Sequence, residues 1–181
     1  MDWEKYPHLF KEVKVPAHTT LLQEGQIARN AHFIREGCIR MWFNNHGKDV
    51  SFQFFFEGEG VSSIESFRSG APSQFSVETL EPCTLLVLSR KNFDQLMEEL
   101  PGQKDMLIEI LHQRMEHYMK LFLQRIKDSP EKRYADLLKE SPHIIQRIPQ
   151  HYIASYLGVT SVSLSRIRNR LHRGGTSPRT S

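Results

Sequence analysis

Cysteine is scarce: Cys38 and Cys83 are the only two in 181 residues, 45 positions apart and without a CxxC spacing. This speaks against a disulfide framework, a zinc site or a cysteine-ligated cluster, and leaves two reduced thiols on half-buried strands. Long apolar runs are missing as well. No segment approaches the roughly 20 apolar residues of a membrane-spanning helix. The opening MDWEKYPHLFKE lacks the apolar stretch of a secretion signal. A soluble, cytoplasmic chain with no membrane partner is expected. No Ser-His-Asp pattern and no P-loop is present, and Glu57, Glu59 and Glu65 form a loop cluster suited to solvent. His112 and His117 stand five apart, whereas helical pairs meet at three or four. No catalytic residue, metal site or cofactor is therefore expected beyond an unidentified small effector, and the chain does not read as an enzyme.

Acidic residues also run out. None follows Glu140, and residues 129–181 hold 9 Lys and Arg against 3 Asp and Glu, a net of +6. The first 128 residues hold 15 basic and 18 acidic, a net of −3. A terminal segment of one sign is an electrostatic footprint for phosphate. Inside it lies QHYIASYLGVTSVSLSRIRN, Gln150 to Asn169. Ile153, Leu157, Val159, Leu164 and Ile167 have the spacing of two short helices that bury one face each. Ala154 is small where the helices would cross, and Gly158 suits the left-handed residue that ends the first. Thr160 or Ser161 can cap the second. This layout is a helix-turn-helix, whose second helix enters the major groove of double-stranded DNA; the rival is an ordinary helical hairpin. Arg166, one turn into the second helix, is the first choice for a guanine edge, because arginine pairs bidentately there. Ser161, Val162, Ser163 and Ser165 are candidates for the other base or phosphate contacts. Arg168, Arg170 and Arg173 are assigned to phosphates, which position without specifying.

Upstream, Asp2 to Lys11 has helical spacing with Pro7 inside it. From Val13 to Ser89 short β-like runs alternate with turns: Thr19–Gln23, Ala31–Arg35, Cys38–Phe43, Asp49–Phe55, Phe75–Thr79 and Thr84–Leu88. Ala31–Arg35 and Cys38–Phe43, joined at Glu36-Gly37, read as a hairpin. Regular spacing with glycine turns indicates a sandwich or jelly roll. Ser89 caps a helix over Asn92–Glu99, and a long helix covers about Gln103–Lys127. Its Leu107, Leu111, Met115, Tyr118 and Phe122 recur in steps of 4, 4, 3 and 4, a coiled-coil seam for a second copy. Ser129-Pro130-Glu131 restarts a helix to about Lys139, Ser141-Pro142 ends it, and Ile144–Ile148 is expected to be extended.

A β domain, a seam-bearing helix and a helix-turn-helix in this order resemble the Crp/Fnr family of transcriptional regulators. The resemblance spans nearly the whole chain. It is carried by LLQEGQ (21–26), FIREGCIRMWF (33–43), Gly70-Ala71-Pro72-Ser73, SPEKRYADLLKESP (129–142), RIPQHYIASYLGVT (147–160) and SLSRIRNRL (163–171). It implies an α+β fold with an N-terminal antiparallel β jelly roll of the cyclic-nucleotide-binding type (residues 1–101). A long dimerisation helix (102–128) and a C-terminal winged-helix-type helix-turn-helix domain (129–181) would follow. It further implies a homodimer on a two-fold symmetric DNA site, with RNA polymerase as a partner. The alternative is a ligand-binding sensor whose helix-turn-helix serves protein interaction.

At the effector pocket the chain departs from the family pattern. Relatives that bind nucleotides carry a Gly-Glu pair for the ribose and an Arg-Ser pair for the cyclic phosphate. Anchored on Phe67 and Gly70, an ungapped match places Ser62 and Ser63 at the first pair, Ser73 and Gln74 at the second. Ile64 and Phe67 complete the expected pocket. Without a cation a buried phosphate is costly, so cyclic AMP is not the expected effector.

Overall fold

The computed structural model describes residues 6–99 and 102–174, which form two compact units, residues 1–116 and 117–181. In the first, Pro7–Leu9 make a single 3-10 turn, and strand β1 (Phe10–Val15) begins at once. The N-terminal helix expected over Asp2–Lys11 is therefore replaced by turn and strand from Pro7 onward; residues 1–5 lie outside the described ones. Pro7 explains the outcome: its fixed φ and missing N–H suit a first turn and oppose a continuing helix.

Seven further strands follow: β2 (Thr20–Leu22), β3 (Asn30–Glu36), β4 (Ile39–Asn45), β5 (Lys48–Phe55), β6 (Gly60–Val61), β7 (Ser76–Thr79) and β8 (Cys83–Ser89). They make two antiparallel sheets, in orders β1-β8-β3-β6 and β2-β7-β4-β5. Ile34 and Leu85 from one sheet pack with Ile39, Met41, Phe55 and Val77 from the other, a jelly-roll core. Ile39, Phe55 and Leu85 are fully buried, each contributing about 1.5–3 kcal/mol.

The segments joined at Glu36-Gly37 are not a hairpin, because β3 and β4 belong to different sheets. Gly37 turns the corner at φ 106°, and a Cβ there would run into the Cys83 sulfur. The true hairpin is β4–β5, turned by His46 and Gly47 at φ 51° and 84°. On the face away from the core, Arg40 is buried against Glu78 (2.6 Å) and stacks over Trp42 (4.8 Å).

Between β6 and β7 lies helix α1 (Ile64–Ser69), ended by Gly70 at φ 76°. Helix α2 (Arg90–Glu99) follows β8, with the Ser89 hydroxyl accepting from the Asn92 amide. Helix α3 (Gln103–Lys127) contributes to both units. The second unit continues with α4 (Pro130–Glu140), α5 (Pro142–Arg147), α6 (Gln150–Leu157) and α7 (Ser161–Gly174). Ser129 caps α4 by accepting from the Lys132 amide. Pro142 does not lead into an extended piece: it is the first residue of α5, where its φ fits. Ile148 and Pro149 make the short extended link to α6. No strand is present among the described residues of this unit, and residues 175–181, where a wing would follow α7, lie outside them.

Candidate nucleic-acid interface and ligand pocket

Helices α6 and α7 are locally specified. Ile153, Ala154 and Leu157 are buried on α6, Leu164 and Ile167 on α7. Gly158 ends α6 at φ 69°, and the Val159 amide donates to the Ala154 carbonyl at 2.9 Å. Thr160, rather than Ser161, caps α7: its hydroxyl accepts from the Ser163 amide at 3.1 Å. The turn is also held from outside. Arg125 donates to the Tyr156 carbonyl (3.0 Å) and Arg133 to the Leu157 carbonyl (2.8 Å), filling the open acceptors at the C-terminus of α6. A side chain on residue 158 would meet the Arg125 guanidinium. Glycine is thus required here twice, for its φ and for its missing Cβ.

The outer face of α7 carries Ser161, Val162, Ser165 and Arg166, all exposed. Ser163 is half-buried, its hydroxyl engaged with Thr160 at 3.0 Å. Arg168 is half-buried at the flank of the face. Arg170 is exposed and paired with Glu131 at 3.3 Å, so a phosphate would exchange with a carboxylate there. Asn169, not among the residues expected from the sequence, is exposed one turn beyond Ser165 and Arg166. Its position four residues after Ser165 was the signal that could have found it. Arg173 lies where no side chain is described.

The six residues expected for an effector pocket do not converge. Ser62 and Ser63 line a cavity of about 190 Å³ with Leu21, Leu22, His32 and Val77. Phe67 is core, edge-on to Phe93 at 5.4 Å. Ile64 and Gln74 are exposed. Ser73 is buried, but its hydroxyl donates to the Phe75 carbonyl (2.7 Å) and its amide to the Gln26 carbonyl (2.8 Å). Phe52 and Phe75 stack edge-on at 5.3 Å beside the core. Arg68 is exposed on α1. His32 is buried, and burial pushes its imidazole down to about 4, so it is neutral at pH 7.

The family described as "Cyclic nucleotide-binding domain" matches residues 12–100. The match covers just under half of this chain. The cAMP-activated global transcriptional regulator CRP of Salmonella typhimurium is 24% identical over 89 residues, 49% of this chain and 42% of the relative. Less than half the length of that relative is thus matched. FixK2 from Bradyrhizobium japonicum shares the fold with a TM-score of 0.79 at 16% identity, over 95% of this chain and 89% of that one. A putative Crp/Fnr regulator from Eubacterium rectale does so with 0.74 at 15% identity, over 98% and 85%.

The two positions expected to anchor a cyclic nucleotide, Ser63 and Ser73, are both uncharged. The amides of Ala71, Ser73 and Phe75 are already bonded, to the Ser69 hydroxyl, the Gln26 carbonyl and the Ser73 hydroxyl. These three backbone donors are therefore engaged.

Along α3 the expected seam divides. Leu107 and Leu111 are half-buried, whereas Met115 (62%) and Phe122 (61%) stand exposed and Tyr118 partly so. Met119 and Ile126, outside the expected seam, are exposed as well. The uncovered apolar row is thus Met115, Met119, Phe122 and Ile126, in steps of 4, 3 and 4.

Proposed function

We propose that the chain is a homodimeric, sequence-specific DNA-binding transcriptional regulator whose jelly roll senses a small effector other than a cyclic nucleotide. The observation that carries this is the outer face of α7. Ser161, Val162, Ser165, Arg166 and Asn169 project from a helix whose other side is buried, in a segment with no acidic residue after Glu140. Arg166 reads guanine and Asn169 adenine, the pairings their side chains make bidentately. Ser161, Val162 and Ser165 fill the remaining contacts, and Arg168 and Arg170 hold phosphates.

The dimer is supported by the apolar row on α3, too large to leave in water on a monomer. Two copies of α7 then face half-sites about one helical turn apart. RNA polymerase is the further partner of a regulator of this type. Selection of bound fragments from the native genome tests the reading. It should return a two-fold symmetric site whose affinity falls steeply with salt as phosphate contacts displace counterions. No enrichment, or binding insensitive to salt, would favour a protein-interaction role for the helix-turn-helix.

A further inference from the structure

Val162 is 62% exposed, and among the described residues of α7 it is the one large apolar side chain so open to solvent. A single exposed valine is ordinary on a protein surface; the place of this one is not. At about 100° per residue, the buried Leu164 and Ile167 lie roughly 200° and 140° round the helix from it. Val162 therefore sits opposite the buried stripe, on the midline of the outer face. Its neighbours there are Ser165 and Arg166, one turn on, and Asn169, two turns on, all exposed. It is also the second residue of α7, and the N-terminal residues of a recognition helix are those that meet base edges. The Thr160 hydroxyl caps this turn and bonds to the Ser163 side chain at 3.0 Å, which fixes the backbone that carries Val162.

The valine side chain has neither donor nor acceptor, so nothing in a base's hydrogen-bonding pattern suits it. Set against an amino group or a ring nitrogen, it would displace water and offer no bond. The one apolar feature that a base pair presents in the major groove is the 5-methyl group of thymine. Contact with that methyl removes apolar surface of both partners from water. Helix stability gives no rival reason for valine here, because β-branched residues are weaker helix formers than alanine.

We propose that Val162 is a specificity-determining residue that selects thymine, by its 5-methyl group, at one base pair of each half-site. This base pair adjoins the one that Arg166 reads, because the two side chains are neighbours four residues apart. The proposal rests on reading α7 as the recognition helix and names what one position of its DNA must carry. Cytosine, whose C5 bears only hydrogen, is disfavoured there.

The test begins on the DNA, where no folding is at stake, and uses the full chain with the two-fold site obtained by selection. Each thymine is replaced in turn by uracil, which lacks only the methyl and keeps its pairing. At one position per half-site the replacement should weaken binding about 4-fold, and roughly 15-fold in both half-sites together, the effect of one methyl leaving an apolar contact in each. Val162→Ser, a change at an exposed position, should bind the thymine and uracil sites alike. Val162→Thr, which keeps a branched methyl, should still prefer thymine. Replacing the sensitive thymine by cytosine should weaken wild-type binding, and 5-methylcytosine should recover part of the loss. The proposal is overturned if no thymine is sensitive to uracil, or if Val162→Ser keeps the full preference, which would put the methyl reader elsewhere. A selected site indifferent to uracil removes this assignment alone; failure to bind any DNA removes the reading of α7 with it.

Discussion

Gly158 is the residue on which the helix-turn-helix most plainly depends. At φ 69° an alanine is strained, by roughly 1–2 kcal/mol, and its Cβ would also displace Arg125 from the Tyr156 carbonyl. Gly158→Ala should lower stability by at least that much in chemical denaturation. Combined with Arg125→Ala it should cost less than the two singly, because the substitutions share one contact; strict additivity would count against the clamp. His32 makes a second prediction. Its imidazole is protonated near 6.5 in the unfolded chain and only near 4 in the fold. Between those values the unfolded state binds the extra proton, so the contribution is complete above pH 6.5 and is lost as pH falls towards 4. The loss is about 3 kcal/mol at most. Denaturation midpoints at pH 7.5 and 4.5 should differ more for the wild type than for His32→Gln.

Among elements, α3 is the one that would carry the proposed dimer. Met115→Glu with Phe122→Glu places charge on the exposed row and should give monomers by light scattering, with DNA affinity far below wild type since each half-site contributes separately. A wild type that is already monomeric at micromolar concentration would contradict this. The element scale also shows what the sequence could reveal. Most strands were legible because glycine turns punctuate them, and α6 and α7 because cap, turn and buried stripe all lie within one short segment. The β3–β4 corner reads as a hairpin because a glycine at φ 106° serves a crossover between sheets as well as a return within one. Helices α1 and α5 have six residues each, too short to show a period. On α3 the helix bounds were legible, but a period does not tell which part of an apolar helix its own unit half-covers, as at Leu107 and Leu111.

For the whole molecule, the effector is the property least accessible from sequence. His32 and Ser63, far apart in the chain, line one cavity because β3 pairs with β6, two residues before Ser63. That Ser63 and Ser73 are uncharged was legible; the engagement of nearby amides was not. Isothermal titration should find no binding of cyclic AMP or cyclic GMP at cellular concentrations, and micromolar binding of either would refute this. The account as a whole stands on α7 as a reader of DNA sequence. Its most direct test is the affinity of Arg166→Ala for a selected site and for random DNA, at several salt concentrations. On the selected site the variant should lose about 1–3 kcal/mol and relax its preference at one base pair per half-site, with little change on random DNA. Equal losses on both, or none on either, would contradict the assignment.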